Sequence, residues 1–333
     1  MTSARAAFLD RLGTSGPLGF GASSLGNLYR EVDEESARAT VDAAWEQGVR
    51  YFDTAPFYGF GLSERRLGDA LRRRPRDQFL LSTKVGRLLG PGEAAPDRFG
   101  FQSPMPFDPV FDYSYDGVMR SAEASLHRLG LSRIDILYMH DLGHATHGAD
   151  HERTFAQALN GGFRAMQALR DQGVVSAIGL GVNEIEICAE SLRHADLDVL
   201  MIAGRYTLLN QGGATFFDEC RQRGIGIAAA GVFNSGILAT GARGATPYYD
   251  YAPALEHIVQ RVAAIERCCA LHDVPLPAAA LQFVLSHPGV TTALIGTGSA
   301  AQIVQSVALA RHPIPPAFWE TLRAEGLLDE ELR

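Results

Sequence analysis

A chain of 333 residues, 46% hydrophobic and 20% charged, carries enough apolar content to bury a large core. Its net charge of −8 comes from scattered residues, which argues against nucleic acid or an anionic membrane as its main partner. No apolar run is long enough to span a bilayer, and the N-terminus lacks a basic-then-apolar signal pattern, so a cytoplasmic location is expected.

Short apolar runs that end in small or polar residues recur along the chain. They predict strands over residues 18–24, 49–54, 79–85, 134–140, 175–182, 199–205, 225–231 and 291–296. Amphipathic stretches between them predict helices over 33–47, 63–72, 115–129, 154–172, 185–194, 215–223, 253–272 and 300–310. Asp33 before Glu34-Glu35-Ser36, and Ser63 before Glu64, read as helix starts. Arg72-Arg73-Arg74 and Arg76 read as cations near a helix C-terminus. Strict β/α alternation predicts a (β/α)8 TIM barrel in one domain over 1–333, with a doubly wound open sheet as the alternative. Two segments exceed what a connection needs: 86–114, rich in Gly, Pro and Phe, and 233–252, with Asn234, Pro247 and three tyrosines. Both follow strands, on the C-terminal face where barrels place their sites.

Side chains alternate along a strand, so Val49, Tyr51 and Asp53 share a face, as do Leu80, Ser82 and Lys84, and Ile136, Tyr138 and His140. Pointed inward, these faces bring a carboxylate, an ammonium and an imidazole to one barrel mouth, beside Tyr58. Lys84 or His140 alone reads as structural; their placement on consecutive strands is what points to chemistry. A phenol of pKa ~10 is a poor base at neutral pH. An ammonium held by a carboxylate is expected to lower that pKa, so the set suits proton transfer at an oxygen.

The segments FDTAPFYG, STKVG and DILYMHD resemble the aldo-keto reductases, and the likeness runs from about residue 18 to 310. It implies a nicotinamide-dependent oxidoreductase whose tetrad is Asp53, Tyr58, Lys84 and His140, with Tyr58 handling the proton. It also implies that Asn183 binds the carboxamide and Tyr206 stacks on the nicotinamide. Ala203 stands where the family commonly has a glutamine. Further stretches, GLGVNE, AGRYTLLNQ and GVFNSGIL among them, resemble the branch that oxidises cyclic hemiacetals to lactones. The implied small-molecule substrate is an aldopyranose of the fucose type or pyridoxal, with the sugar preferred. A sugar needs many fixed polar contacts and a pyridine ring needs aromatic walls. Arg87, Asp141, Arg205 and Asn234 are the polar candidates, and Phe20, Phe57, Phe99, Phe101, Tyr113 and Phe233 the aromatic ones.

Gly296-Thr297-Gly298-Ser299-Ala300-Ala301 follows a strand and opens a helix, whose free amides suit a phosphate. In the family this junction, here Gly296, Thr297, Gly298, Ser299 and Gln302, grips the adenosine end of the cofactor. NADP-using members place Lys and Arg there; Gly296 and Gln302 carry no cation, so NAD is expected. His140, Asp141, His144, His147, Asp150 and His151 could be mistaken for a metal site, but glycines mark the segment as a loop, and no metal is expected. Cys188, Cys220, Cys268 and Cys269 have no metal-type spacing and read as reduced thiols. A rival reading comes from channel regulatory subunits that resemble the family; the full tetrad favours an enzyme.

Overall fold

The structure is a computed structural model and describes residues 3–243 and 247–329. Eight apolar runs form parallel strands: β1 (Leu18–Gly21), β2 (Tyr51–Asp53), β3 (Leu80–Val85), β4 (Ile136–His140), β5 (Ala177–Val182), β6 (Val199–Ala203), β7 (Gly226–Ala230) and β8 (Thr292–Gly296). Each pairs with its chain neighbour, and β1 pairs with β8 through Leu18↔Ala293 to Gly21↔Gly296. That last ladder closes the sheet and makes a (β/α)8 barrel, not an open doubly wound sheet. Gly21 also pairs with Asp53, so the ends of β1, β2 and β8 share one level at the mouth.

The barrel has an inner and an outer apolar layer. Inside lie Tyr51, Leu80, Ile136, Tyr138, Val199, Met201 and Leu294, closed at the bottom by Phe8 and Leu12 of the helix Ser3–Thr14. That helix was not evident from periodicity, because its apolar residues are too few to make a stripe. Val49, expected inside with Tyr51 and Asp53, instead joins the outer layer, because β2 begins only at Tyr51.

Helix starts follow local chemistry. Asp33 accepts the Ser36 amide at 2.7 Å and caps Glu34–Glu46. Leu62–Leu71 differs from expectation: its cap is Gly61, at φ 96°, and Ser63 lies inside the helix. The Ser63 hydroxyl serves packing, donating to the Ala22 carbonyl at 2.6 Å and bonding Thr54 Oγ1 at 2.8 Å. The helix expected over 154–172 contains a π turn at Ala158–Gly162, where Gly161 and Gly162 press against the backbone of Tyr113 to Tyr115. Between β7 and β8 stand the long helices Glu256–Leu271 and Leu276–Ser286. The second is buried nearly all round, so it has no amphipathic period to reveal it.

Each long segment contributes short antiparallel ribbons over the mouth. Arg87–Pro91 pairs antiparallel with Phe107–Phe111, and Asp97–Arg98 with Phe101–Gln102. In 233–252, Tyr248–Tyr249 pairs with Ala252–Pro253; residues 244–246 of that segment lie outside the described residues. No single helix among the described residues is long and apolar enough to cross a membrane. All four cysteines are buried free thiols.

Candidate active site

Asp53, Lys84 and His140 arrive at the mouth because they end the inward faces of β2, β3 and β4. Lys84 donates to Asp53 Oδ2 at 2.7 Å and to the Thr54 carbonyl at 2.9 Å. Both partners of this ion pair are buried, at 2–3% side-chain exposure, so neither can lean on water for its charge. Above them lies the Tyr58 ring, its centroid 4.7 Å from the Lys84 ammonium and 6.0 Å from the His140 ring.

Local backbone fixes Tyr58. After Asp53 the chain turns at Ala55-Pro56, with the Tyr58 amide bonded to the Ala55 carbonyl at 3.1 Å and the Ser63 amide to the Tyr58 carbonyl at 3.2 Å. The turn after β1 packs against it directly: a Cβ on Gly26 would come within 2.5 Å of the Tyr58 carbonyl carbon. Gly59, at φ 61°, meets Gly26 just as closely.

The electrostatics differ from expectation in one respect. Lys84 does push the Tyr58 phenol toward ionisation, but burial is the larger influence and the phenol's pKa stands above its ordinary value. Asp53 is likewise raised, by burial first, with Lys84 and Ser82 opposing. Lys84 stays a cation, raised by Asp53 and Tyr58 against desolvation. His140 is held well below the usual imidazole range by burial and by Arg87 and Lys84, so it is neutral at pH 7. Its Nδ1 is buried without a hydrogen-bond partner, and its Nε2 lies 3.5 Å from Asp141 Oδ2. A neutral imidazole has one N–H to donate, which suits an uncharged substrate oxygen.

These groups floor a cavity of about 540 Å³. Of the sequence-derived candidates, Asp53, Tyr58, Lys84, His140, Phe57, Asp141, Asn183 and Gly296 border it. Arg87, Arg205 and Asn234 stand behind its wall. Arg87 bonds Asp141 and lies over the Phe57 ring, 3.8 Å from its centroid. Arg205 donates to the Asn183 carbonyl at 2.5 Å and forks onto Asp250, at 3.2 and 3.0 Å from Nη2. Asn234 is 3% exposed, with a positive φ of 45°. Tyr206 is apart from the cavity: Gly204, at φ 69°, turns the chain outward, and the Tyr206 ring stacks on Phe283 at 4.9 Å in the outer layer. Phe20 and Tyr113 are also fully buried away from the cavity.

Phe57, Phe99, Phe101 and Phe233 do form wall, and the structure adds Tyr29 and Tyr251, which sequence reasoning passed over. Tyr251 sits at the tip of the 233–252 hairpin with φ 66°, and Tyr29 has φ 64°. The only signal for Tyr251 was its place among three tyrosines in a long loop. At the β8 end, Thr297 bonds Gln302 through its hydroxyl, and the Ser299 amide bonds Thr297 Oγ1 at 3.1 Å. Ser299 offers no side-chain cap to the helix Ala300–Leu309, so its first amides stay available. A Cβ on Gly298 would fall 2.6 Å from Val32 Cγ2, so any side chain there would have to displace Val32. Asn183, bare Gly296 and this uncapped helix start fit a dinucleotide laid from the cavity to the rim. Among the described residues no group of three or more His, Cys, Asp or Glu is placed to hold a metal ion.

A model of the aldo/keto reductase family matches residues 17–325. Among curated proteins, the chain is 46% identical over 323 residues to pyridoxal 4-dehydrogenase of Microbacterium luteolum, covering 93% of this chain and 94% of that one. It is 41% identical over 317 residues to D-threo-aldose 1-dehydrogenase of a Pseudomonas species, again covering 93% and 94%. Among solved structures, an aldo-keto reductase from Bacillus halodurans superposes with a TM-score of 0.72 at 24% identity, over 95% of this chain and 93% of that one, a likeness of fold.

Proposed function

This chain belongs to the aldo/keto reductase family, and from that premise we propose that it oxidises an aromatic cyclic hemiacetal, pyridoxal in its closed form, to a lactone with NAD. The observation that carries the reading is the cavity itself: the Tyr58–Lys84–Asp53 group and His140 form its floor, under walls of Phe57, Phe99, Phe101, Tyr29 and Tyr251. The sequence places four polar and six aromatic candidates in the mouth loops without separating the two substrates, and a sugar is the preferred expectation. Three of the polar ones, Arg87, Arg205 and Asn234, are turned to ion pairs or buried behind the wall, which leaves Asp141. Aromatic walls, with Asp141 as the one charged side chain above the floor and Ser23, Ser24 and Ser235 as small polar ones, suit a flat pyridine ring better than an aldopyranose.

The chemistry follows from the placement. The substrate's hydroxyl-bearing carbon is held over Tyr58, with its hydroxyl toward the phenol oxygen and His140 donating to the same oxygen. Tyr58, ionised to the phenolate that Lys84 beneath the ring stabilises, takes the hydroxyl proton as the carbon–oxygen double bond forms. Bound NAD supplies the acceptor for the hydride that leaves that carbon. Asn183, the Gly296 gap and the uncapped Ala300–Leu309 start would hold it. Neither position 296 nor 302 offers a cation to a 2′-phosphate, which supports NAD over NADP.

A second reading, oxidation of an aldopyranose at C1, is favoured by the Asp141 carboxylate on the cavity wall and by the D-threo-aldose relative. Side-by-side kinetics on pyridoxal, L-fucose, D-arabinose and L-galactose, with each cofactor, separate them. The expected result is efficient turnover of pyridoxal with NAD. Turnover confined to aldoses ends the aromatic reading, and tight NAD binding without turnover of any of them would favour a cofactor-sensing regulator.

A further inference from the structure

Beneath the cavity, buried hydroxyls run in an unbroken chain down the barrel. Ser82 Oγ donates to Asp53 Oδ1 at 2.6 Å; Tyr51 Oη lies 3.0 Å from Ser82 Oγ, and Tyr138 Oη lies 3.1 Å from Tyr51 Oη. Ser82, Tyr51 and Tyr138 are all fully buried at 0% exposure. The direction of the chain is forced. An ionised carboxylate can only accept, so the single Ser82 proton goes to Asp53, Ser82 accepts from Tyr51, and Tyr51 accepts from Tyr138. Every proton points toward Asp53. Burial keeps both phenols protonated, so the chain does not lose its donors.

The barrel makes room for this column. Barrel interiors are ordinarily filled by branched aliphatic side chains. Here a Cβ on Gly19 of β1 would meet Tyr51 Cδ1 at 2.7 Å. A Cβ on Gly181 of β5 would meet Lys84 Cε at 3.2 Å, and one on Gly179, blocked first by the Val199 carbonyl of β6 at 1.6 Å, would also crowd Tyr138 Cδ1 at 3.3 Å. Glycines stand where the phenol rings and the lysine stem need space.

We propose that Ser82, Tyr51 and Tyr138 are positioning residues: a directed hydrogen-bond column that keeps the Asp53–Lys84 pair charge-separated and so sets how readily Tyr58 gives up its proton. The inference rests on Tyr58 being the acid–base group of the proposed reaction. A buried ion pair has a competing state, a neutral acid beside a neutral amine, which desolvation favours. Donors aimed at Asp53 oppose it. If the proton crosses from Lys84 to Asp53, Tyr58 loses the cation beneath its ring. The other titratable groups around Tyr58 are His140 at the end of β4, Asp141 just after it with Arg87 behind, and Tyr251 from the hairpin.

The test is the pH profile of oxidation, in which kcat rises as Tyr58 deprotonates. In Ser82→Ala that limb should move up by about one pH unit, with smaller upward shifts in Tyr51→Phe and Tyr138→Phe. KM for substrate and NAD should hold, because none of the three borders the cavity. Ser82→Thr, which restores a hydroxyl, should return the limb. Thr83→Val removes a buried hydroxyl bonded to Glu64 at 2.7 Å on the other face of β3, and should leave the limb in place. A Ser82→Ala limb that coincides with wild type, with only Tm lowered, overturns the proposal. If wild type oxidises no hemiacetal, the tyrosinate absorbance of wild type minus Tyr58→Phe still reads Tyr58 directly. An upward shift of that signal in Ser82→Ala upholds the column although the substrate reading has failed; an unmoved signal overturns it.

Discussion

Gly26 lies against Tyr58 so closely that a methyl group on its Cα would stand 2.5 Å from the Tyr58 carbonyl carbon and 2.7 Å from its oxygen. The turn after β1 is thus the back-stop for the loop after β2. Gly26→Ala should push Tyr58 off its place over Lys84. Misplacement of a reacting group by about 1 Å can cost ~100-fold in rate, so kcat should fall by that order. Measurement of kcat beside Tm checks this; a Tm loss with kcat intact would show that the turn yields without moving Tyr58.

Tyr58→Phe and Lys84→Met should both abolish turnover, but differ in stability. Tyr58→Phe removes one hydroxyl at the cavity edge. Lys84→Met strands the Asp53 carboxylate in the core, and losing one partner of a buried pair costs about 3–5 kcal/mol. Denaturant titration should separate the two variants by that margin. Asp53→Asn should impair turnover far more than folding; the reverse would make Asp53 a strand cap only.

His140 carries a pH signature with a definite sign. Its folded pKa lies below the unfolded value of ~6.5, so the unfolded chain binds the proton first as pH falls. Its contribution to stability is therefore complete above ~6.5 and is lost as pH drops toward the folded pKa. Denaturation midpoints for wild type and His140→Gln, followed from pH 8 to pH 5, should keep a constant separation above ~6.5, and below it wild type should lose stability relative to the variant. Parallel curves would mean that the imidazole is not held neutral.

Cofactor choice is open to a one-residue change. Gln302 bonds Thr297 at the start of the Ala300–Leu309 helix. Gln302→Arg places a cation where an adenosine 2′-phosphate would lie, and the efficiency ratio should move toward NADP by about tenfold. An unchanged ratio would put the adenosine ribose elsewhere.

The Arg205–Asp250 fork ties the loop after β6 to the hairpin that carries Tyr251. Asp250→Ala should free that wall while leaving Tyr58 and Lys84 untouched. KM for the hemiacetal should rise by about tenfold with kcat nearly unchanged, the pattern of lost uniform binding. A fall in kcat alone would place the hairpin in the chemical step.

How much of this was legible in the chain follows from what is local. Alternation within β2, β3 and β4 already put Asp53 with Tyr51, Lys84 with Ser82, and His140 with Tyr138 on shared faces; Tyr58, five residues after Asp53, falls beside them. Strand existence was readable because each apolar run is short and punctuated. The helix Leu276–Ser286 was not, because a helix buried on all sides has no stripe. Val49 was misplaced because the start of β2 depends on its neighbours' ladders.

The rest depended on closure. Which residues meet across the barrel depends on register and shear, so nothing in the sequence could join Tyr51 of β2 to Tyr138 of β4, or show Gly19 clearing space for Tyr51. Whether Arg87, Arg205 and Tyr206 face the cavity was decided by turns at Gly86, at φ 97°, and Gly204, and by partners far along the chain. The balance at Tyr58 was likewise tertiary: Lys84 was visible beforehand, but the burial that outweighs it exists only once the loops fold over the mouth. Sequence determined which groups the protein brings to its mouth; packing decided which of them see the cavity and what charge they carry there.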